Sequence, residues 1–280
     1  METDTTKKKN HFALIEYMPT ATSTNTQLMQ QDFENRTVIY TFNQTAGRGR
    51  LDRNWITVAD KNLALSIGLR NIKCQPIWIT AALSVATVNT LEKSGLSQTW
   101  IKWPNDIFVG QCKLAGILTE STWKNNKIDK CVAGVGINLN STAEELNASI
   151  TNKAATSFFE QTGKEINLKN FTNDLLENIV NCLESAESGN ISEIKQLWLA
   201  KTKLIGEKAE VSEIYKNSPT VSGTIENIDD DGFLYLNDGT KILKIVTGDI
   251  RRAAEHRLRR KRAAALRYSR ERPRRGQQQP

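Results

Sequence analysis

A short polar segment separates two apolar runs near the middle of this chain, and the fold must accommodate both. Lys102-Trp103-Pro104-Asn105-Asp106 lies between Trp100-Ile101 and Ile107-Phe108-Val109. The apolar runs predict buried strands. Ionic groups beside buried strands are costly unless they are paired or used by the protein. For Asn105-Asp106 alone, a solvated hairpin end is the better explanation, so a second signal is needed to indicate a site.

That second signal is the segment Gln44–Trp55, which carries three arginines and two glycines and ends on a tryptophan. Glycine lets a backbone approach a ligand closely, and arginine offers a permanent charge that matches carboxylate or phosphate oxygens. An isolated Arg/Gly segment is more often a surface turn. Together with Lys102–Asp106 and with Lys113-Leu114-Ala115-Gly116, it predicts a mobile cationic loop that closes over an anionic substrate.

The basic charge of the chain is concentrated at its C-terminal end. The formal net charge is +7 over 280 residues. Residues 251–280 contain 12 Lys and Arg against two Asp and Glu, a balance of +10, and the other 250 residues contain 26 against 29, a balance of −3. The folded part is therefore mildly acidic. The tail is either an arm that binds nucleic acid through its charge or an appended segment foreign to the domain, and its abrupt change of composition favours the second explanation.

The scarcity of histidine restricts the chemistry. His11 and His256 are the only two histidines, which argues against a His-activated nucleophile and a His-ligated metal. Lys, Arg, Asn, Asp and backbone amides remain, and these groups suit the stabilisation of phosphates. The four cysteines show neither metal-ligand spacing nor a disulfide framework, so we expect reduced thiols in a cytoplasmic protein. No apolar run predicts a signal peptide or a membrane span.

The pattern of apolar residues predicts an α+β fold with a mixed sheet covered by helices. Strands are expected over residues 12–17, 37–42, 62–69, 99–103, 106–109, 113–120 and 127–139. Helices are expected from Thr22–Asn25 through Met29, over 77–93, and within 143–203, where 168–183 and 191–200 have helical spacing.

The pattern changes after residue 204. Four short strands, over 209–211, 221–225, 233–236 and 242–246, are separated by turn residues, which predicts a small β-barrel. The chain thus divides into a polar N-terminal segment (1–11), a catalytic domain (12–203), a barrel (204–252) and a basic tail (253–280) that its charge should keep disordered.

Five motifs, in this order along the chain, resemble those of biotin protein ligases. They are Ser23-Thr24-Asn25, Gly47-Arg48-Gly49-Arg50-Leu51-Asp52-Arg53-Asn54-Trp55, Lys102-Trp103-Pro104-Asn105-Asp106, Lys113-Leu114-Ala115-Gly116 and Gly136-Ile137-Asn138. The resemblance covers about residues 12 to 252. It implies a mixed sheet backed by helices, related to class II synthetase folds, followed by an SH3-like barrel.

The resemblance also implies an activity. Biotin protein ligases make biotinyl-5′-adenylate from biotin and ATP with Mg²⁺, release pyrophosphate, and transfer biotin to one lysine of the carrier domain of a carboxylase. Adenylation gives the carboxylate a good leaving group, and a site that holds two anions together needs cations. The implied partners are biotin, ATP and the carrier domain.

The resemblance assigns roles to individual residues. The biotin site comprises Ser23, Thr24, Asn25, Gln44, Arg48, Gly49, Arg50, Lys113 and Gly116. The nucleotide site comprises Arg50, Arg53, Trp55, Asn105, Asp106 and Asn138, and Asn105 and Asp106 belong to its metal end, although the magnesium ligands are not assigned. Lys113, Arg48 and Arg50 are the implied catalytic residues, and Lys113 contacts the biotin carboxylate and the α-phosphate.

Two further expectations concern function classes. Regulatory members of the family carry an N-terminal DNA-binding domain, and only about eleven residues precede the first predicted strand here, so we expect a monofunctional ligase without specific DNA binding. The alternatives are lipoate–protein ligase, which shares fold and chemistry, and a non-catalytic nucleic-acid-binding protein that uses the tail. The Gly-Arg-Gly-Arg and Lys-Trp-Pro-Asn-Asp motifs favour biotin.

Overall fold

The computed structural model describes residues 11–51, 53–147, 155–212 and 218–252. Within these ranges the chain forms two compact units. The first extends to Lys203 and includes Asp230–Gly232, and the second comprises Leu204–Asp229 and the residues from Phe233 onwards. The basic tail 253–280 and most of the N-terminal segment 1–11 lie outside the described residues, so the expectations for them stay predictions.

The first unit is built on nine strands and six helices among its described residues. The strands are β1 (Leu14–Tyr17), β2 (Thr37–Thr41), β3 (Gly47–Arg48), β4 (Asn54–Trp55), β5 (Asn62–Leu69), β6 (Thr99–Lys102), β7 (Asp106–Val109), β8 (Cys112–Lys124) and β9 (Lys127–Asn138). The helices are α1 (Thr24–Gln30), α2 (Pro76–Lys93), α3 (Ala143–Asn147), α4 (Phe158–Thr162), α5 (Leu168–Glu187) and α6 (Ile191–Thr202). The predicted mixed sheet with helices is confirmed.

Seven of these strands form one sheet in the order β1-β2-β5-β9-β8-β7-β6. β1 and β2 pair in parallel and all other neighbours are antiparallel. β3 and β4 form a separate hairpin, in which Gly47 pairs with Trp55 and Arg48 with Asn54. The segment predicted as a mobile cationic loop therefore contains a short two-stranded ladder, which its Arg/Gly composition did not indicate.

Helices α2, α5 and α6 cover one side of the sheet, here called the helix face. α2 packs against β6, β7, β8 and β9 and against α5 and α6, so it is buried nearly all round. Its buried hydroxyls are satisfied within the helix: Ser84 donates to the carbonyl of Thr80 at 2.7 Å and Thr87 to that of Leu83 at 2.7 Å. This pairing explains how a helix with several Ser and Thr residues lies in an apolar layer.

Helix α1 lies on the opposite side of the sheet, where it packs on β2, β5 and β9. Ser23 caps it, because the Ser23 hydroxyl accepts a bond from the Thr26 N–H at 3.4 Å. The side chain of Ser66 in β5 points to α1, whereas that of Thr119 in β8 meets Thr80 of α2 at 2.7 Å. Alternate residues of the strands thus face opposite sides of the sheet, one covered by α1 and the other by α2.

The second unit contains a five-stranded antiparallel sheet in the order β13-β12-β11-β10-β14. Its strands are β10 (Lys208–Ser212), β11 (Val221–Ile228), β12 (Leu234–Asn237), β13 (Ile242–Ile245) and β14 (Asp249–Arg252). Four were predicted. β14 was missed, because Asp-Ile-Arg-Arg has little strand propensity and owes its place to pairing with β10.

The turn between β12 and β13 is held by Asp238. Its side chain accepts bonds from the hydroxyl and N–H of Thr240 and from the N–H of Lys241, at 2.6 to 2.9 Å. These bonds favour the charged form and lower the pKa of Asp238 to about 2.

Among the described residues, no helix is both long and apolar enough to cross a membrane.

Candidate active site

The face of the sheet beneath α1 and the β3–β4 hairpin, here called the site face, is floored by glycine. Gly136 of β9 lies opposite Gly116 of β8, which in turn lies opposite Asp106 of β7. A Cβ added to Gly136 would lie 2.3 Å from the ring of Trp55, and one added to Gly134 would lie 2.0 Å from Asn25 Oδ1. Only glycine leaves room for these two side chains at these positions.

The hairpin lies on this floor through Trp55. The Trp55 ring contacts the backbone of β9 at Gly136 and approaches that of β8 at Gly116, where an added Cβ would lie 3.3 Å away. Gly47 is needed in the hairpin itself, because a Cβ there would lie 2.4 Å from the Trp55 carbonyl oxygen. Trp55 Nε1 is buried without a hydrogen-bond partner among the described residues, which leaves a donor for a ligand.

A buried polar cluster lies at the start of α1. Both the N–H and the hydroxyl of Thr24 donate to Gln44 Oε1, at 3.0 and 3.3 Å. The Ser66 hydroxyl bridges Thr24 Oγ1 at 2.7 Å and Asn25 Oδ1 at 2.6 Å. Asn25 Nδ2 donates to the carbonyl of Leu118 at 3.0 Å. The cluster fixes the orientation of Thr24, Asn25 and Gln44, because each makes more than one hydrogen bond.

A β-bulge decides which face Lys113 occupies. Phe108 pairs with Lys113 and Ile107 with Ala115, so one extra residue of β8 is inserted at this point. Lys113 consequently lies on the site face with Gly116, three positions away, where regular alternation would have put the two on opposite faces. Its Nζ lies 5.5 Å from the centre of the Trp55 ring.

Lys113 is paired with a carboxylate in this state. Its Nζ lies 2.6 Å from Asp106 Oδ1, so the two side chains form an ion pair. The two side chains are 26% and 17% exposed. An incoming anion would therefore compete with Asp106 for the ammonium group.

The arginines of the hairpin reach neighbouring strands. Arg48 Nη2 lies 2.6 and 2.5 Å from the two carboxylate oxygens of Glu120 in β8. Arg50 Nη1 donates to Asn105 Oδ1 at 3.0 Å, and Asn105 Nδ2 donates to the carbonyl of Ile117 at 2.7 Å. The Lys102–Asp106 motif is thus joined to the Gln44–Trp55 motif by a direct bond. Arg53 is exposed at the turn of the hairpin, where its carbonyl accepts from the Gly49 N–H at 2.6 Å.

Asn138 lies on the site face of β9, two positions beyond Gly136. Its amide is committed within the protein, since Nδ2 donates to the carbonyl of Thr156 at 3.0 Å and Oδ1 accepts from Asn62 at 3.3 Å. These bonds stabilise the chain segment that follows β9. They favour a supporting role for Asn138.

The structure thus joins most of the residues that the motifs singled out, through contacts that the sequence alone did not reveal. Two participants were missed, Ser66 and Glu120. Ser66 carried a signal, because it is a single hydroxyl within the apolar strand Asn62–Leu69 and needs a buried partner. Glu120 carried none, since an acidic residue near the end of a predicted strand is ordinary. Within the described ranges, no three His, Cys, Asp or Glu side chains cluster as a protein-only metal site requires.

Several known proteins are similar to this chain. Residues 16–138 match the Biotin/lipoate A/B protein ligase family. The chain is 28% identical over 246 residues to the bifunctional ligase/repressor BirA of Bacillus subtilis, covering 86% of this chain and 73% of that protein. It is 28% identical over 220 residues to the biotin–[acetyl-CoA-carboxylase] ligase of Mycobacterium tuberculosis, covering 76% and 77%.

A solved structure shares the fold. The biotin protein ligase from Aquifex aeolicus in complex with biotin and ATP superposes with a TM-score of 0.72 at 24% identity, covering 86% of this chain and all of that one. Residues 16–138, which match the family, contain all the motifs around the glycine floor, from Ser23-Thr24-Asn25 to Gly136-Ile137-Asn138. Residues 16–138 thus match a domain of the biotin/lipoate A/B protein ligase family, and relatives of 28% identity extend over most of the chain.

Proposed function

We propose that this protein is an ATP-dependent biotin protein ligase, which activates biotin as biotinyl-5′-adenylate and transfers it to a lysine of a carboxylase carrier domain. The observation that carries the proposal is Lys113, which the bulge turns onto the glycine floor beside Trp55 and Asp106. An ammonium group beside a hairpin with three arginines suits a substrate that brings two anionic groups together. The name of the Mycobacterium tuberculosis relative supports biotin as the acid.

In the first step, a carboxylate oxygen of biotin attacks the α-phosphorus of ATP. The bond between the α-phosphorus and the bridging oxygen breaks, and pyrophosphate leaves with the electron pair. Negative charge builds on the α-phosphate oxygens as the nucleophile approaches. Lys113 stabilises this charge and holds the two reactants together, once the anions have replaced Asp106 as its partner.

In the second step, the ε-amino group of the carrier lysine attacks the biotinyl carbonyl. The bond to AMP breaks, an amide forms, and the lysine nitrogen gives up its proton to solvent. AMP is a good leaving group because its phosphate carries the departing charge. The protein's task in this step is to hold the adenylate in place and exclude water until the carrier arrives.

The residues divide into two ends. At the biotin end, Ser23, Thr24, Asn25 and Gln44 provide hydrogen bonds for the ureido ring, and Arg48, Gly49, Arg50 and Gly116 line the path of the acid. At the nucleotide end we assign Arg50, Arg53, Trp55, Asn105, Asp106 and Asn138. The bond from Arg50 to Asn105 supports one continuous site, since it joins the hairpin to the nucleotide end.

Mg²⁺ would enter with the phosphates of ATP. In protein sites of this kind it is held by one or two carboxylates together with phosphate oxygens and water. Asp106 supplies one such carboxylate at the right end of the site, and it becomes available when Lys113 turns to the substrate. The metal would neutralise phosphate charge and favour the departure of pyrophosphate.

We further propose that the catalytic domain spans residues 12–203 and that residues 204–252 form an SH3-like barrel. The division of the chain into units at Lys203 and Leu204 supports the boundary. The return of β14 to pair with β10 supports a barrel-like course of the second sheet. The reduced thiols support a cytoplasmic location. The repressor activity in the name of the Bacillus relative is not extended to this chain.

The direct test supplies the protein with radiolabelled biotin, MgATP and a biotin carrier domain. We expect label on the carrier lysine, and pyrophosphate release that requires biotin but no carrier. Lipoate and octanoate are run in parallel, because the matched family also includes lipoate ligases. Activity with lipoate or octanoate and none with biotin would overturn the assignment.

A further inference from the structure

Glu120 joins two parts of the site face that are otherwise separate. Its Oε2 accepts a bond from Asn25 Nδ2 at 2.9 Å, and its two oxygens lie 2.5 and 2.6 Å from Arg48 Nη2. Asn25 belongs to the polar cluster at the start of α1, whereas Arg48 belongs to the β3–β4 hairpin. The Glu120 carboxylate in β8 thus contacts one residue of the polar cluster and one residue of the hairpin.

The charges around Glu120 indicate what it does. A carboxylate on a face that receives anions is unfavourable for binding unless a cation neutralises it. Arg48 provides that cation, and the guanidinium group is then occupied by Glu120 in the state described here. The Arg48 side chain is 47% exposed and that of Glu120 is 27% exposed. Ion pairs with this degree of exposure contribute little to global stability, so the pair is better suited to holding a local element in place.

Side chains attach the hairpin to the strands around it. β3 and β4 contain two residues each, and their ladder is too short to be stable by itself. Trp55 attaches one strand to the glycine floor, and Arg50 attaches the turn to Asn105. Arg48 attaches the other strand, because it pairs with Glu120, which in turn accepts a bond from Asn25.

We propose that Glu120 is a positioning residue, which ties the hairpin through Arg48 to the biotin-binding end at Asn25. The proposal rests on the proposed function and deepens it: Arg48 acts by keeping the hairpin closed over the adenylate, and its charge is satisfied by Glu120. The positions of Asn25 and Arg48 are therefore fixed relative to each other, because both side chains bond to the carboxylate of Glu120. A site assembled in this way retains its activated intermediate until the acceptor lysine arrives.

The test uses the full chain and the variants Glu120→Gln, Arg48→Gln and the double variant. Glutamine preserves size and keeps an acceptor for Asn25, but it replaces a charge-assisted bond to Arg48 by a neutral one. We expect each single variant to release the adenylate about tenfold faster, as judged by label on albumin relative to label on the carrier. The KM for biotin should rise more than kcat falls, and the double variant should resemble either single variant because both remove the same contact.

A second readout needs no substrate. Chymotrypsin can cut the hairpin after Leu51, which is 55% exposed, and after Trp55. We expect faster cleavage there in all three variants, with an unchanged Tm. Glu187→Gln is the matched control, since Glu187 also pairs with an arginine, Arg36, at 2.5 Å outside the site. It should leave hairpin cleavage and selectivity as in the wild type.

Three results would overturn the proposal. Additive losses in the double variant would mean that Arg48 and Glu120 act separately. A lowered Tm in Glu120→Gln with unchanged hairpin cleavage would make the residue merely structural. Unchanged cleavage and retention would mean that no tie exists. If the wild type failed to activate biotin, the proposed function would fail, and the cleavage experiment would still decide whether Glu120 holds the hairpin.

Discussion

The two faces of the seven-stranded sheet share the same strands but differ in what covers them. On the helix face, buried side chains pack against α2, α5 and α6, and hydroxyls of α2 such as those of Ser84 and Thr87 bond within their own helix. On the site face, Gly116, Gly134 and Gly136 leave a floor without side chains, and charged groups meet in pairs above it. The helix face is closed by apolar packing, whereas the site face carries paired charges around Trp55 and Asn25, so we expect stability to depend mainly on the helix face.

This contrast predicts that changes on the helix face act on stability. The largest effect is expected for Leu83→Ala, because Leu83 is fully buried in α2. Loss of its side chain should lower the free energy of unfolding by about 2–5 kcal/mol. Urea denaturation measures this loss, and the kcat of the remaining folded protein should stay close to that of the wild type. A large fall in kcat of the folded fraction would mean that the two faces are not separable.

The converse change is Lys113→Ala on the site face. The rate of adenylate formation should fall by about 10²–10³, as for other lost electrostatic stabilisers of a transition state. The free energy of unfolding should change little, because the lysine is partly exposed and its removal also frees Asp106. Pyrophosphate release under single-turnover conditions gives the rate.

Lys201→Ala is the matched control for Lys113→Ala. Lys201 lies in α6, pairs with Glu92 at 2.7 Å and is 28% exposed, against 26% for Lys113. It should keep the wild-type rate. Equal rates for the two variants would contradict the role of Lys113.

The glycine floor can be tested by filling it. Gly136→Ala should lower the free energy of unfolding by about 1–3 kcal/mol, because the new methyl group meets the Trp55 ring. It should also raise the KM values by displacing the hairpin. The double variant Gly136→Ala/Trp55→Ala removes the clash, so it should recover stability relative to Gly136→Ala while remaining poorly active. Failure to recover would mean that Trp55 is not what occupies the space above Gly136.

The smallest effect concerns the thiols. Burial raises the pKa of Cys131 to about 12 and those of Cys74 and Cys182 to about 11. These thiols stay protonated at pH 8 to 9, so a maleimide should leave them unmodified in the folded protein. Cys112, which is only partly buried, should be labelled. Mass spectrometry identifies the modified residue, and labelling of Cys131 in the native protein would show that the covered part of the sheet opens.

Most of the secondary structure followed from the sequence, because strand and helix periodicity are local properties. Asn62–Leu69 was predicted to the residue, and α2 within one residue at its start. β14 was not predicted, since its strand depends on a partner about forty positions away. The short hairpin β3–β4 was missed for a related reason, because a two-residue ladder leaves no period to detect.

The sequence by itself determined which motifs the chain carries, and Arg48, Arg50, Lys113 and Asn25 stand in them. The tertiary structure alone decided how they are arranged. The bulge in β8 turned Lys113 to the site face, against the alternation that its position predicts. Glu120 meets Arg48 across 72 positions and Asn25 across 95. Side-chain direction in a sheet depends on register, and register is set by the pairing of distant strands.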